Sequence, residues 1–239
     1  MTKASHATWA EWIFQPYIRR LMKRSFHAVR LVGEPPAVAP DKPLLVVANH
    51  GTWWDGFFIS VLNKTLLRRK LHIMMLEAQL ARYPFFRRLG AFGIEQGSPR
   101  GVISSLAYSA AVLKEPSSLL CIFPQGEMRH VHARPLGFRR GMERVLAMYG
   151  GELSVLPVAL ACEFTGEQRP EAYLLADRAH QVSATTFQGM EWLERIQEQQ
   201  MDRLEQAVAA REQGRIILAG RRSISETRVA AGGGRGVRP

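Results

Sequence analysis

The sequence predicts an α/β fold: a single domain whose central, mostly parallel or mixed sheet is flanked by helices, with an N-terminal amphipathic helix ahead of it. Three observations support this. Short unbroken apolar runs, such as Leu44–Ala48, have the pattern of strands buried on both faces. They alternate with longer segments of helical periodicity. The 239 residues, 46% of them hydrophobic, are enough for one sizeable core.

Residues 9–32 read as one amphipathic helix, bent at Pro16. Tyr17, Ile18, Leu21, Met22, Phe26 and Val29 fall at helical spacing, with Arg19, Arg20, Lys23, Arg24 and Arg30 largely between them. Apolar rings on one side and cations on the other describe a helix lying in a membrane interface. The alternative is a helix that packs this stripe on the domain core. Residues 34–40, with four prolines nearby, form a linker.

The rest alternates. Leu44–Ala48 is a strand, residues 56–63 a helix, 71–75 a strand, and 77–89 a helix broken at Pro84. Residues 92–95 form a short strand, 102–114 a helix ending before Pro116, and 119–123 a buried strand. Residues 138–149 form a helix closed by Gly150 and Gly151, then 155–161 and 172–176 are strands. Residues 187–211 form a polar-faced helix with Met190, Leu193, Ile196, Met201, Leu204 and Val208 as its stripe. The expected organisation is therefore residues 1–36 as membrane-contacting helix and linker, 37–229 as the main domain, and 230–239 as a disordered Gly/Arg-rich tail.

The net charge of +11 is localised. Residues 1–36 carry six basic side chains against Glu11 and Glu34, and residues 64–90 carry seven against Glu77. A basic, aromatic-rich face suits an anionic surface, either lipid headgroups or nucleic acid. No nucleic-acid-binding motif accompanies it, so the expected partner is an anionic membrane and not nucleic acid. No apolar run reaches the ~20 residues that span a bilayer, and no signal-peptide pattern opens the chain. The expectation is a peripheral, monotopic protein on the cytoplasmic face of a membrane. Cys121 and Cys162 sit in apolar, strand-like runs and read as buried thiols. His130 and His132 lack the further ligands that a metal site requires, so no metal is expected.

The stretch Leu-Leu-Val-Val-Ala-Asn-His-Gly-Thr-Trp-Trp-Asp, residues 44–55, carries the chemistry. Five residues along a straight helix turn about 500°, which would leave His50 and Asp55 about 140° apart. A turn at Gly51 lets the carboxylate fold back onto the imidazole. Asp55 then lies in the first turn of the next helix, where negative charge is favoured. A carboxylate on one ring nitrogen fixes the tautomer, and the other nitrogen can take a proton from an alcohol attacking an acyl carbonyl. No serine or cysteine nucleophile is needed when the acceptor supplies the hydroxyl. The position, at the carboxyl end of a strand, is where α/β sheets place their sites.

This His-x4-Asp block resembles the signature of the glycerolipid acyltransferases, the family of the lysophosphatidic acid acyltransferases. The likeness continues in order over residues 44–160. Residues 89–96, Leu-Gly-Ala-Phe-Gly-Ile-Glu-Gln, stand where the family's second block lies. Phe123-Pro124-Gln125-Gly126-Glu127-Met128-Arg129 stands for Phe-Pro-Glu-Gly-Thr-Arg-Ser, and Val155-Leu156-Pro157-Val158 for the hydrophobic fourth block. The resemblance implies transfer of a fatty acyl group from acyl-CoA or acyl carrier protein to a hydroxyl of a membrane lipid. It casts His50 as general base and Asp55 as its orienter. It places Asn49, Glu95, Gln96, Arg100, Gln125, Gly126, Glu127 and Arg129 at the substrate. No resident cofactor is expected beyond the acyl-donor substrate.

The family's second- and third-block arginines, thought to grip the acceptor's phosphate, are absent here. Gln96 and Met128 replace them, and Glu127 adds a negative charge. Two acceptors remain open. One is a lysophospholipid such as lysophosphatidic acid, with Arg100, Arg129, Arg134, Arg139 or Arg140 taking over the phosphate. The other is a non-phosphorylated acceptor such as a glycosylated lipid or glycosylated isoprenoid, its hydroxyls held by Gln96, Gln125 and Glu127. A non-catalytic membrane- or nucleic-acid-binding protein is the alternative of another class, and it gives no reason for the His50–Asp55 spacing.

Overall fold

A computed structural model describes residues 1–221 of the chain. Seventeen segments of regular structure build a mixed sheet with helices on both faces. The strands are β1 (Ala28–Val32), β2 (Leu44–Ala48), β3 (Lys70–Leu76), β4 (Ala91–Ile94), β5 (Ser118–Ile122), β6 (Leu153–Glu163), β7 (Glu171–Leu175), β8 (His180–Val182) and β9 (Arg215–Ala219). Their order across the sheet is β4-β3-β5-β2-β6-β7-β1-β9, with β8 also paired to β6. The run from β4 to β6 is parallel throughout. Beyond it β7 pairs antiparallel to β6, and β9 antiparallel to β1.

The helices are α1 (Thr8–Ser25), α2 (Asp55–Leu62), α3 (Glu77–Arg82), α4 (Pro99–Val112), α5 (Met142–Tyr149) and α6 (Met190–Ala209). A π-helical turn follows α2 over Asn63–Leu67, and a 3-10 turn at Pro84–Leu89 follows α3. Every residue of β2 and β7 is buried, as crossing connections that cover both faces of a sheet require. Leu45, Val47 and Leu120 face a core made with α4, α5 and α6. Leu44, Val46, Leu119 and Cys121 face a second core made with α1 and α2.

Most expected elements lie within a residue or two of their places. The N-terminal helix is a correction. It ends at Ser25, and residues 28–32 are a strand between β7 and β9. Val29, expected at the end of the helical stripe, is instead buried in the sheet together with Leu31. A boundary at residue 36 therefore cuts a strand from its sheet. The stripe itself also faces the other way. Ile18, Met22 and Phe26 are buried against the core, so the core-packing alternative holds for them. A proline inside a helix costs about 3 kcal/mol. Burying these side chains contributes about 1.5–3 kcal/mol each, which offsets Pro16. Arg30, expected on the outer basic face, donates from Nε to Glu171 at 2.7 Å instead. The helix expected from residue 138 begins at Met142. Strands β8 and β9 were not expected. The tail at 230–239 lies outside the described residues.

The seven residues before α1 run along the exposed side of β4. The Gly93 N–H donates to the Thr2 carbonyl at 2.8 Å, and Ser5 and Ala7 donate to the carbonyls of Arg87 and Arg88. The Glu77 carboxylate accepts from the backbone N–H and hydroxyl of Thr2. His6 and His72 share a hydrogen bond of 3.1 Å between their Nε2 atoms. Burial, helped by the neighbouring His6, lowers the pKa of His72 to about 4.

Candidate active site

The parallel strands deliver their carboxyl ends to one rim of the sheet, and the site forms there. Asn49 directly follows β2 and is buried. Its amide donates to the Leu160 carbonyl at 2.9 Å and accepts from the Leu160 N–H at 2.8 Å, pinning the end of β2 to β6. The His50 backbone is held from the other side. Its N–H donates to Gln125 Oε1 at 2.6 Å, and its carbonyl accepts from the Arg129 N–H at 2.9 Å. The 123–129 loop after β5 thus fixes the backbone of residue 50.

The chain then turns through Gly51–Trp54 into α2, and Asp55 is the first residue of that helix. Its carboxylate, only 2% exposed, is fully engaged. Oδ2 accepts from His50 Nδ1 at 2.8 Å, from the Gly51 N–H at 2.8 Å and from the Thr52 N–H at 2.9 Å. Oδ1 accepts from the Thr52 hydroxyl at 2.6 Å. A carboxylate at a helix start, holding the backbone N–H groups of the turn before it, is a stable place for a buried negative charge. The His50 ring stacks on Phe123 with centroids 4.5 Å apart and planes at 25°. With Nδ1 bound to Asp55, Nε2 is the nitrogen left for a substrate.

His50 lines a cavity of about 810 Å³, within the range of ligand pockets. Gln96, Gly126 and Glu127 line it as well. Gln96 Nε2 donates to the Gly126 carbonyl at 3.0 Å, joining the loops after β4 and β5. Gly126 has φ +72°, and a Cβ there would fall 2.5 Å from Arg139 Nε, so glycine alone fits the turn beneath that guanidinium. Glu127 is paired with Arg129 at 2.8 Å, and Arg129 also donates to the Leu136 carbonyl.

The remaining expectations need correcting. Asn49 and Gln125 are each 2% exposed and already hydrogen-bonded, so they position the His50 backbone rather than touch a substrate. Glu95 and Arg100 are exposed and stand off the cavity wall; Glu95 packs against Gly101 at the start of α4. Thr52 and Phe123 complete the His50–Asp55 arrangement, and Arg139 and Arg140 line the cavity. No ion pair joins either arginine among the described residues. Burial pushes the Cys121 thiol up, and that of Cys162 up to about 12, so neither is a thiolate nucleophile.

Helix α1 and the cavity wall both carry exposed aromatic rings. Trp12 is 78% exposed, and Trp9, Ile13, Tyr17, Trp53 and Tyr83 are also exposed. Trp9 contacts Phe85, and Phe14 contacts Phe57 and Phe86, joining α1 to the wall of the cavity. Among the described residues no helix is long and apolar enough to cross a membrane.

A family model described as Acyltransferase matches residues 28–161, which run from β1 into β6. The 1-acyl-sn-glycerol-3-phosphate acyltransferase of Streptococcus pneumoniae is 33% identical over 94 residues, covering 38% of this chain and 33% of that protein. The match thus spans about a third of that relative. The crystal structure of the 1-acyl-sn-glycerophosphate (LPA) acyltransferase PlsC from Thermotoga maritima aligns over 82% of each chain, at 17% identity and a TM-score of 0.46.

Proposed function

Since the chain belongs to the acyltransferase family, we propose that it moves a fatty acyl group from acyl-CoA or acyl carrier protein to a hydroxyl of a membrane lipid. The observation that carries this is the 2.8 Å bond from His50 to the buried Asp55 at the wall of a large, mostly apolar cavity. His50 Nε2 takes the proton of the acceptor hydroxyl as its oxygen attacks the thioester carbonyl. The carbon–oxygen bond forms, the carbon–sulfur bond breaks, and the departing thiolate recovers the proton from the imidazolium. Asp55 opposes the positive charge that the ring carries in between.

The acceptor that the charges favour is a lysophospholipid such as lysophosphatidic acid. Arg129 already neutralises Glu127, while Arg139 and Arg140 bring uncompensated positive charge to the cavity. The relative's name, a 1-acyl-sn-glycerol-3-phosphate acyltransferase, agrees with this. The groups that would grip neutral hydroxyls are already engaged: Gln96 by Gly126, Gln125 by His50. An acyl-transfer assay comparing lysophosphatidic acid with a glycosylated lipid tests the reading. At least tenfold higher kcat/KM for the phosphorylated acceptor is expected, and a preference for the glycosylated one would overturn it.

We further infer that the protein sits peripherally on an anionic membrane through Trp9, Trp12, Ile13 and Tyr17, with Arg19, Arg20, Lys23 and Arg24 exposed farther along the same helix. Changing Trp12 and Ile13 together to Glu should lower sedimentation with anionic vesicles severalfold while the melting temperature holds. Undiminished sedimentation would remove α1 as the anchor.

A further inference from the structure

Residues 136–139 lead the chain back to the cavity wall, and each of their four backbone N–H groups has a partner. Leu136 donates to Glu198 Oε1 at 3.0 Å, Gly137 to Glu194 Oε1 at 2.7 Å and Phe138 to Glu194 Oε2 at 3.0 Å. The Arg139 N–H donates to the Pro124 carbonyl at 2.9 Å. Two carboxylates of α6 thus hold three successive donors, and Glu194 uses both of its oxygens. Successive N–H groups that converge make a concave anion site, and here the protein's own carboxylate fills it. Bonds to an ionised acceptor are roughly twice as strong as neutral ones. Glu194 and Glu198 are four residues apart and so share a face of α6. The neighbouring face, with Leu193, Gln197 and Met201, is buried. The helix begins at Met190, beyond residues 28–161 that the family model matches.

We propose that Glu194 is a positioning residue for the acceptor: by holding Gly137 and Phe138 it sets Arg139 and Arg140 at the cavity, where they take the acceptor's phosphate. The proposal rests on the phosphate-acceptor reading and carries it from the cavity wall out to α6. Both arginines are exposed, so their backbone decides where the guanidinium groups start. Arg139 lies over Gly126 beside Gln96, next to the loop that holds the His50 backbone. The other cations of the cavity are engaged or distant. Arg69 donates to the carbonyls of Ala39, Lys42 and Pro116, and Lys64 is paired with Glu11. Arg82 rests over the Tyr83 ring at 5.5 Å. Arg68 and Lys70 stand at the amino end of β3, roughly 20 Å along that strand from the rim where His50 lies.

By charge alone, removing a carboxylate near a phosphate site should tighten phosphate binding. The proposal predicts the reverse. Gln at position 194 keeps one oxygen for one N–H group and turns an amide nitrogen toward the other. With full-length protein and saturating long-chain acyl-CoA, Glu194→Gln should raise the KM for lysophosphatidic acid about tenfold, with kcat within about threefold of wild type. The KM for acyl-CoA should not move. In an Arg139→Ala, Arg140→Ala background, whose KM is already raised, Glu194→Gln should add nothing further. Glu194→Asp keeps both oxygens but draws them back by one carbon. It should raise the KM in the same direction, and it decides the matter if the Gln variant melts early. The proposal is overturned if the KM stays at or falls below wild type, if kcat alone falls, or if the effect persists undiminished without the arginines. A wild-type KM in the double-arginine variant would sink the phosphate reading itself, and the proposal with it.

Discussion

Replacing His50 with Ala is expected to lower kcat for acyl transfer by about 10²–10⁴-fold, the range general bases contribute, with little loss of stability. The structure explains why the two effects separate. Removing the imidazole takes one of four donors from the Asp55 carboxylate. The N–H groups of Gly51 and Thr52 and the Thr52 hydroxyl remain. The buried charge is therefore not stranded, which would otherwise cost several kcal/mol. His50 is held by its backbone through Gln125 and Arg129, contacts that alanine keeps. Release of free thiol from the acyl donor, followed against time, measures the rate, and thermal melting checks the fold. Turnover within tenfold of wild type would remove His50 from the mechanism.

Asp55→Asn should cost on the order of a hundredfold or more in kcat. An amide oxygen can still accept from Gly51 and Thr52, and the Thr52 hydroxyl can rotate to accept from the new amide nitrogen. The fold thus loses mainly charge-assisted strength in those bonds. The imidazolium formed during transfer loses its counter-charge, and among the described residues no other carboxylate is paired with the ring. If the amide turns its nitrogen toward the ring, His50 is fixed in the wrong tautomer as well. The decisive measurement is kcat at saturating donor and acceptor, beside a melting curve. A fall confined to KM would mean that Asp55 shapes binding rather than the proton transfer.

The dyad was legible because five residues after a buried strand leave few ways to bring a carboxylate back to an imidazole. Strands β2, β5, β6 and β7 were legible because strands buried on both faces show as unbroken apolar runs. The N-terminus was misread for a related reason. Ile18, Met22, Phe26 and Val29 keep helical spacing across a true boundary, and no proline or glycine marks the break at Ser25. Edge pairing hid β8 and β9: three residues carry too little pattern, and Arg215–Ala219 follows a long helix with only Gly214 as punctuation. Within the site, spacing does not show which loop groups meet. Gln125 reaches the residue 50 backbone across 75 positions, and Asn49 reaches Leu160 across 111. A motif comparison placed both at the substrate, whereas the geometry uses them to hold the strand ends together.

The segment leading into α1 also bears on solubility. A sheet edge is a template for another chain, because its unpaired N–H and C=O groups invite further strands. Strand β4 is such an edge, only four residues long, and Thr2 accepts the Gly93 N–H that would otherwise point outward. The Glu77 carboxylate then lies so close over Gly93 that any Cβ there would sit 1.6 Å from its oxygen. Glycine at this position lets a charged group cap the edge at van der Waals range, and like charge repels an incoming copy of the same edge. The chain entering the aromatic helix thereby covers the β4 edge of the sheet, where an incoming strand would otherwise meet the Gly93 N–H.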